Sequence, residues 1–246
     1  MKVKFSFESN RNIILPVGFK EILQWFIYSS IKDEWLHSVG FSKGKRSFKL
    51  FCFSEILQKA RFIKEKDIFI FPRTISFIVS SPVDWILEKL ATGSLINHRI
   101  NLGGNSVNLK EIAVLKQAEI NENEITVKTL SPIEVHSTFE INGRRKTHYY
   151  TPFEDDFSRL INDNAKRKWE AFYKEKCPFD LKIKPIGFNK ERIVKFGQKN
   201  RYVLVKGWSG NFKLYGEPEF LRFIVDAGLG SRNSQGFGMV EVIGGK

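Results

Sequence analysis

Residues 228–238, Gly-Leu-Gly-Ser-Arg-Asn-Ser-Gln-Gly-Phe-Gly, constrain the fold of this chain more than any other stretch. Two Gly-apolar-Gly turns flank five polar residues. Glycine takes positive φ and lets the backbone approach a neighbour closely. Residues 218–227, with Pro218 in the first turn, read as a helix before the loop. Met239 to Ile243 read as a strand after it. A dinucleotide fingerprint needs the opposite order, strand then glycines then helix, so that the helix N-terminus meets the pyrophosphate. No Gly-Lys-Ser/Thr closes the motif, which excludes a Walker loop. Gly228 fits a helix C-cap. Gly228, Gly230, Gly236 and Gly238, set around Ser231, Arg232, Asn233, Ser234 and Gln235, are expected to turn N–H groups and polar side chains toward an anion.

The rest of the chain supplies a reason to expect that anion to be large. Lys and Arg number 40 against 27 Asp and Glu, a formal charge of +13. Such an excess attracts polyanions, of which nucleic acid is the commonest in a cell. The 246 residues, 42% hydrophobic and with 23 phenylalanines, suffice for two small packed domains. No run reaches the roughly 20 apolar residues of a membrane span. Residues 1–7 alternate polar and apolar and lack the apolar core of a signal peptide. A cytoplasmic protein with no membrane partner is expected. Cys52 and Cys177 form neither a disulfide scaffold nor a Cys-x-x-Cys zinc site, and Cys52 reads as a core residue.

Periodicity predicts strands at 2–7, 48–53, 68–79 and 111–120, with a polar basic loop at 42–47. Helices are predicted at 17–32, and from Ser81-Pro82 to about Gly93. The order is β-α-β-β-α-β. A polar break at 121–124 marks a boundary, giving domains 1–122 and 123–246. The order then recurs: a strand at 125–135, a hairpin turning at Asn142-Gly143, and a helix with Phe153, Phe157, Leu160, Ile161, Trp169 and Phe172 on one face. Strands at 181–186, 193–196 and 202–205, the 218–227 helix and the terminal strand follow. The fold class is therefore α+β, two tandem ferredoxin-like (βαββαβ) domains with a C-terminal glycine-rich loop. Open antiparallel sheets of this kind suit RNA.

A Gly-apolar-Gly, five-residue spacer, Gly-apolar-Gly loop at the C-terminal edge of such a protein resembles the RAMP superfamily. Within it the chain is similar to the CRISPR-associated repeat endoribonucleases of the Cas six type. The resemblance extends over Leu15-Pro16, Ile27-Tyr28, Leu36-His37, Thr129-Leu130-Ser131-Pro132-Ile133 and the segment from Asn233 to Val240. It implies an endoribonuclease that cuts CRISPR repeat RNA, the precursor transcript, without metal or other cofactor. The 2′-hydroxyl attacks the scissile phosphate, leaving a 2′,3′-cyclic phosphate and a 5′-hydroxyl. A RAMP protein that binds repeat or guide RNA without cutting is the alternative. Other Cas proteins of an effector complex and a second copy of the chain are the further partners to expect.

That chemistry needs a base, an acid and positive charge for the phosphorane. The four histidines are His37, His98, His136 and His148. His37 lies between the first helix and the basic loop Lys43-Gly44-Lys45-Arg46, and it matches the family's catalytic histidine. Tyr28, off the apolar stripe of the first helix, matches the tyrosine that some members pair with it. As a base it would need nearby cations, because its unperturbed pKa is about 10. Lys49 matches the family's charge-stabilising lysine. His136 and His148 read as structural or RNA-contacting. Glu154-Asp155-Asp156 reads as a helix start rather than a metal site. Lys43, Lys45 and Arg46, the hairpin tip Arg144-Arg145-Lys146, and the glycine loop with Arg232 are the expected RNA contacts. Arg192, Lys195, Lys199 and Arg201 form a further basic stretch.

Overall fold

A computed structural model describes residues 1–96, 100–197 and 202–245. His98, Lys199 and Arg201 lie outside the described residues.

The N-terminal half comprises β1 (Lys2–Glu8), β2 (Ile13–Pro16), α1 (Phe19–Ile31), α2 (Glu34–Ser38), β3 (Phe41–Lys43), β4 (Arg46–Phe48), β5 (Cys52–Phe53), β6 (Arg61–Ile63), β7 (Ile68–Phe71), β8 (Thr74–Ser80), α3 (Asp84–Ile96), β9 (Ile100–Leu102) and β10 (Asn105–Val114). Its main sheet runs β5-β8-β1-β10-β9, antiparallel throughout. The C-terminal half comprises β11 (Glu124–Thr129), β12 (His136–Ile141), β13 (Arg144–Tyr149), α4 (Asp155–Tyr173), β14 (Lys182–Phe196), β15 (Val203–Tyr215), α5 (Pro218–Ala227) and β16 (Val240–Gly245). Its sheet runs β14-β15-β11-β16.

With β5 and β8 taken as the second and third strands of the first unit, both sheets read 2-3-1-4. That is the order of a ferredoxin-like βαββαβ unit, and it occurs twice. The first sheet adds β9 beyond its fourth strand. Phe5, Phe7, Phe26 and Phe77 pack ring against ring between β1, β8 and α1. One continuous core passes from these rings to Phe157, Trp169, Phe212 and Phe220 of the second half.

Several predicted boundaries move. The expected loop at 42–47 is a hairpin, pairing Phe41 with Phe48 and turning at Gly44. The strand expected at 48–53 is split: Phe48 closes that hairpin and Cys52 and Phe53 pair with β8, because Leu50 takes φ +50° and bends the chain between them. The strand expected at 68–79 is two strands in different sheets. The second helix runs through Gly93 to Ile96. A Cβ on Gly93 would meet the Ser30 carbonyl at 1.9 Å, so this glycine permits close helix packing instead of ending the helix. β10 spans Asn105–Val114, and 115–123 carry no regular structure. β11 stops at Thr129, beyond which Ile133 bridges Trp208. The strands expected at 181–186 and 193–196 are one long β14 with an irregularity between Ile186 and Lys190. Phe153 precedes α4 and is exposed. Among the described residues no helix is long and apolar enough to cross a membrane.

Candidate functional site

α1 ends where Lys32 takes φ +50° and donates its amide to the Tyr28 carbonyl. Asp33 then caps α2, accepting from the Leu36 amide at 2.8 Å, while Lys89 pairs with its other oxygen at 2.5 Å. This tight reversal folds His37 back over Tyr28. The two rings meet edge to face, with centroids 4.9 Å apart. Lys49 emerges from the β3–β4 hairpin and donates its ammonium to the main-chain oxygen of His37 at 2.8 Å. Tyr28, His37 and Lys49 are therefore neighbours. His37 is exposed, and Tyr28 and Lys49 are half-buried. Burial pushes the Tyr28 phenol above its ordinary pKa, opposed by the nearby Ser234 side chain. Desolvation lowers that of Lys49.

Ser234 brings the glycine loop into the same place. A short 3-10 turn spans Asn233–Gln235. The loop is built differently from the sequence expectation. The amides of Gly228, Leu229, Ser231, Gln235, Gly236 and Gly238 donate inward, to Ile224, Gly238, Glu134, Arg232, Asn233 and Pro132 carbonyls. Asn233 ties the two turns together through the Leu229 and Phe237 carbonyls, at 3.0 and 3.1 Å. The four glycines are buried, and Ser231 to Gln235 are half-buried. At φ +83° Gly236 lies so near the Phe53 ring that a Cβ would approach it to 2.6 Å. At Gly238, φ +74°, a Cβ would meet the Leu229 carbonyl at 1.9 Å. The glycines serve close packing onto β5 and within the loop; what the loop turns outward is side chains.

Its carbonyls are gripped by lysines. Lys168 of α4, 2% exposed, donates to the Gly228 and Gly230 oxygens at 2.6 and 2.9 Å. Lys20 of α1, 3% exposed, donates to Gly236 at 2.5 Å and pairs with Glu55 at 2.5 Å. Lys2 donates to Val240 at 2.6 Å. Burial drives the Lys168 ammonium down to about 7, partly offset by Cys52, whose own buried thiol is pushed up to about 12.

Between the loop, the 46–51 segment and α4 lies a cavity of about 340 Å³. Arg46, Lys49, Lys168 and Arg232 contribute four basic side chains to its lining, and among the described residues no carboxylate lines it. Ser234 and Gln235 sit on the same wall. Asn164, one helical turn before Lys168, lines it too, and its buried Oδ1 accepts no hydrogen bond. A cavity so composed favours a compact anion. Among the described residues no three His, Cys, Asp or Glu side chains gather in a way that could hold a metal ion.

The remaining predicted residues divide. Arg46 joins the cavity; Lys45 is exposed at the hairpin turn; Lys43 is engaged by Glu170 at 3.0 Å. Arg232 bonds Gln235 through Nη1 at 3.0 Å, and its Nε stands 3.9 Å from the wholly buried Glu134. Arg144, Arg145 and Lys146 are exposed on the separate β12–β13 ribbon and do not line the cavity. His136 bonds Glu134 at 2.5 Å and His148 bonds Glu154 at 2.9 Å. Glu154, the residue before α4, also accepts from the Thr151 amide. Arg192, with Lys128, Lys190 and the 84% exposed Phe188, lines a second groove of about 660 Å³ between the two halves. Lys195 pairs with Asp67 at 3.3 Å.

Lys168, Asn164 and Lys20 are additions that sequence reasoning missed. The signal was present. Lys168 falls in the apolar stripe Phe157, Ile161, Ala165, Trp169, and Lys20 in the stripe of Leu23 and Ile27. A lysine on a core-facing stripe marks a buried cation with a specific partner.

Comparison with known proteins matches the chain to a family. The C-terminal model of CRISPR associated protein Cas6 matches residues 115–242, more than half of the chain. The CRISPR-associated endoribonuclease Cas6 of Pyrococcus furiosus is 30% identical over 247 residues, 97% of this chain and 88% of that protein. The CRISPR-associated endoribonuclease Cas6 1 of Methanocaldococcus jannaschii is 25% identical, over 98% of this chain and 92% of that protein. A solved structure described as a RAMP protein binding different RNA substrates superposes with a TM-score of 0.81 at 20% identity, covering 99% of this chain and all of that one. The chain belongs to the Cas6 family of CRISPR-associated proteins.

Proposed function

We propose that this protein is an endoribonuclease that cuts CRISPR repeat RNA to release guide RNAs, through proton transfer by its own side chains and without a metal ion. The observation that carries the reading is the basic, carboxylate-free cavity, joined through Lys49 and Ser234 to the His37–Tyr28 pair. The names of the Pyrococcus and Methanocaldococcus relatives support the same activity. In this reading 1–122 carry the proton-transfer residues and 123–246 supply the loop that completes the site.

The scissile phosphate enters the cavity beside Lys49 and Arg46. The upstream 2′-hydroxyl attacks phosphorus, and His37 accepts its proton. Tyr28, kept protonated by burial, is a poor base and a competent hydrogen donor to the departing 5′-oxygen. Lys49 and Arg46 offset the charge that builds on the phosphorane. The P–O5′ bond breaks, giving a 2′,3′-cyclic phosphate and a 5′-hydroxyl. The groove with Phe188, Lys190 and Arg192 offers single-stranded RNA a stacking surface and a basic track.

End-labelled repeat RNA from the protein's own genome, incubated in EDTA, tests this. Expected are fragments whose 3′ ends are cyclic phosphates and whose 5′ ends accept phosphate from a kinase without prior dephosphorylation. RNA that shifts on a gel yet stays intact would assign the chain to binding alone. Cleavage that needs added magnesium would overturn the metal-free chemistry.

A further inference from the structure

We propose that Lys168 forms the floor of a phosphate site, and that entry of an RNA phosphodiester into the cavity is coupled to uptake of a proton by its Nζ. The inference rests on the reading of this cavity as the RNA site. It begins from an electrostatic imbalance. Lys168 is 2% exposed, and the partners of its Nζ are two main-chain carbonyls. Carbonyl dipoles orient an ammonium but do not neutralise it, and an uncompensated buried charge is costly. Lys20, its counterpart on the other turn, has Glu55. Among the described residues Lys168 has no such carboxylate.

The groups around the cavity do not supply that carboxylate. From the 46–51 segment come Arg46 and Lys49, and from the glycine loop Arg232. From β5 comes Cys52, a neutral thiol near pH 7, with Asp226 of α5 beyond it. Asn164, on its own helix, carries no charge. With Arg232 facing the buried Glu134 at 3.9 Å, Arg46 and Lys49 are the cations of the lining without a carboxylate among the described residues, and burial favours the neutral amine of Lys168 while the cavity is empty. Burial already holds that amine near its titration point at neutral pH. A phosphodiester supplies the missing negative charge. The proton then moves from solvent to Nζ, and the ammonium faces the phosphate while keeping its hold on Gly230. Binding and protonation strengthen one another, as linkage requires.

The test is calorimetry with repeat RNA carrying a 2′-deoxyribose at the mapped cut position, which prevents turnover. Titrations at pH 8 in buffers of different ionisation enthalpy count the protons taken up. Histidines contribute little at that pH. The wild type is expected to take up a substantial fraction of a proton. Lys168→Arg, charged in both states, should bind within about threefold and take up almost none. Lys168→Met should bind at least tenfold more weakly and also take up none. Equal proton counts in all three proteins would overturn the proposal. RNA that binds the wild type with no proton uptake would overturn it while leaving the endoribonuclease reading intact. Failure of the wild type to bind repeat RNA would instead remove the reading on which it rests. A measurement without variants guards against misfolding. The ε-carbon NMR signals of the free protein should include a lysine titrating near neutral pH that stays protonated to pH 9 with RNA bound. A titration unmoved by RNA would count against the proposal.

Discussion

The Ser234 side chain stands beside the hydroxyl of Tyr28 and counters the effect of burial on it, although most of the chain separates them. The contact joins the glycine loop of the second half to the candidate proton-transfer pair of the first. The loop is thereby part of the candidate cleavage site itself, through a side chain rather than through its glycine amides.

Ser234→Ala removes that hydroxyl from beside Tyr28. A neutral hydrogen bond contributes about 1 kcal/mol, roughly fivefold in rate. Single-turnover cleavage should fall by about that factor while RNA affinity stays within twofold. Unchanged cleavage would separate the loop from the chemistry.

His37→Ala should reduce cleavage by about 10²–10⁴-fold, the usual contribution of a positioned acid–base group. Gel-shift affinity should persist, because His37 is exposed and does not line the basic cavity. Full activity in this variant would move the base elsewhere.

Gly236→Ala places a Cβ against the Phe53 ring at φ +83°. Phe53 is wholly buried and has little room to yield. A loss of about 2 kcal/mol is expected, lowering Tm by about 4–8 °C. Thermal unfolding of the free protein measures it, with no RNA required.

Arg232→Ala should weaken RNA binding and reduce the slope of log K against log salt by about one. It also takes the guanidinium away from the wholly buried Glu134, leaving His136 as its partner, so stability should fall. Adding Glu134→Gln should restore stability without restoring the salt slope. Recovery of both would assign Arg232 a purely structural part.

Stability should depend on pH through Lys168. Its folded pKa of about 7 lies below its unfolded value of 10.5. Between those values the unfolded chain binds more protons, so stability rises with pH across that window and its gain is lost as pH falls through 7. Urea midpoints of the RNA-free protein from pH 7 to 9 should climb, and Lys168→Met should flatten the climb.

The family and the two βαββαβ units were legible in the residues, and Tyr28, His37 and Lys49, singled out from the sequence, lie side by side in the fold. Periodicity located α1, α4 and α5, and the Pro218 and Asn142-Gly143 signals held. Boundaries failed where a single backbone angle or a close approach decided them, as at Leu50 and Gly93. Local sequence carries no record of which neighbour will press against a residue.

The glycine loop divides the same way. The sequence by itself determined that 228–238 must turn twice and approach something closely, because side-chain-free positions and positive φ are local properties. Only the tertiary structure decided what it approaches. The glycine carbonyls meet Lys168 and Lys20, Gly236 meets Phe53, and Ser234 meets Tyr28. Each of those partners lies far away in sequence. Burying a lysine is tolerable only where the fold delivers oxygen acceptors to it, which is a property of the packed chain and of no segment alone.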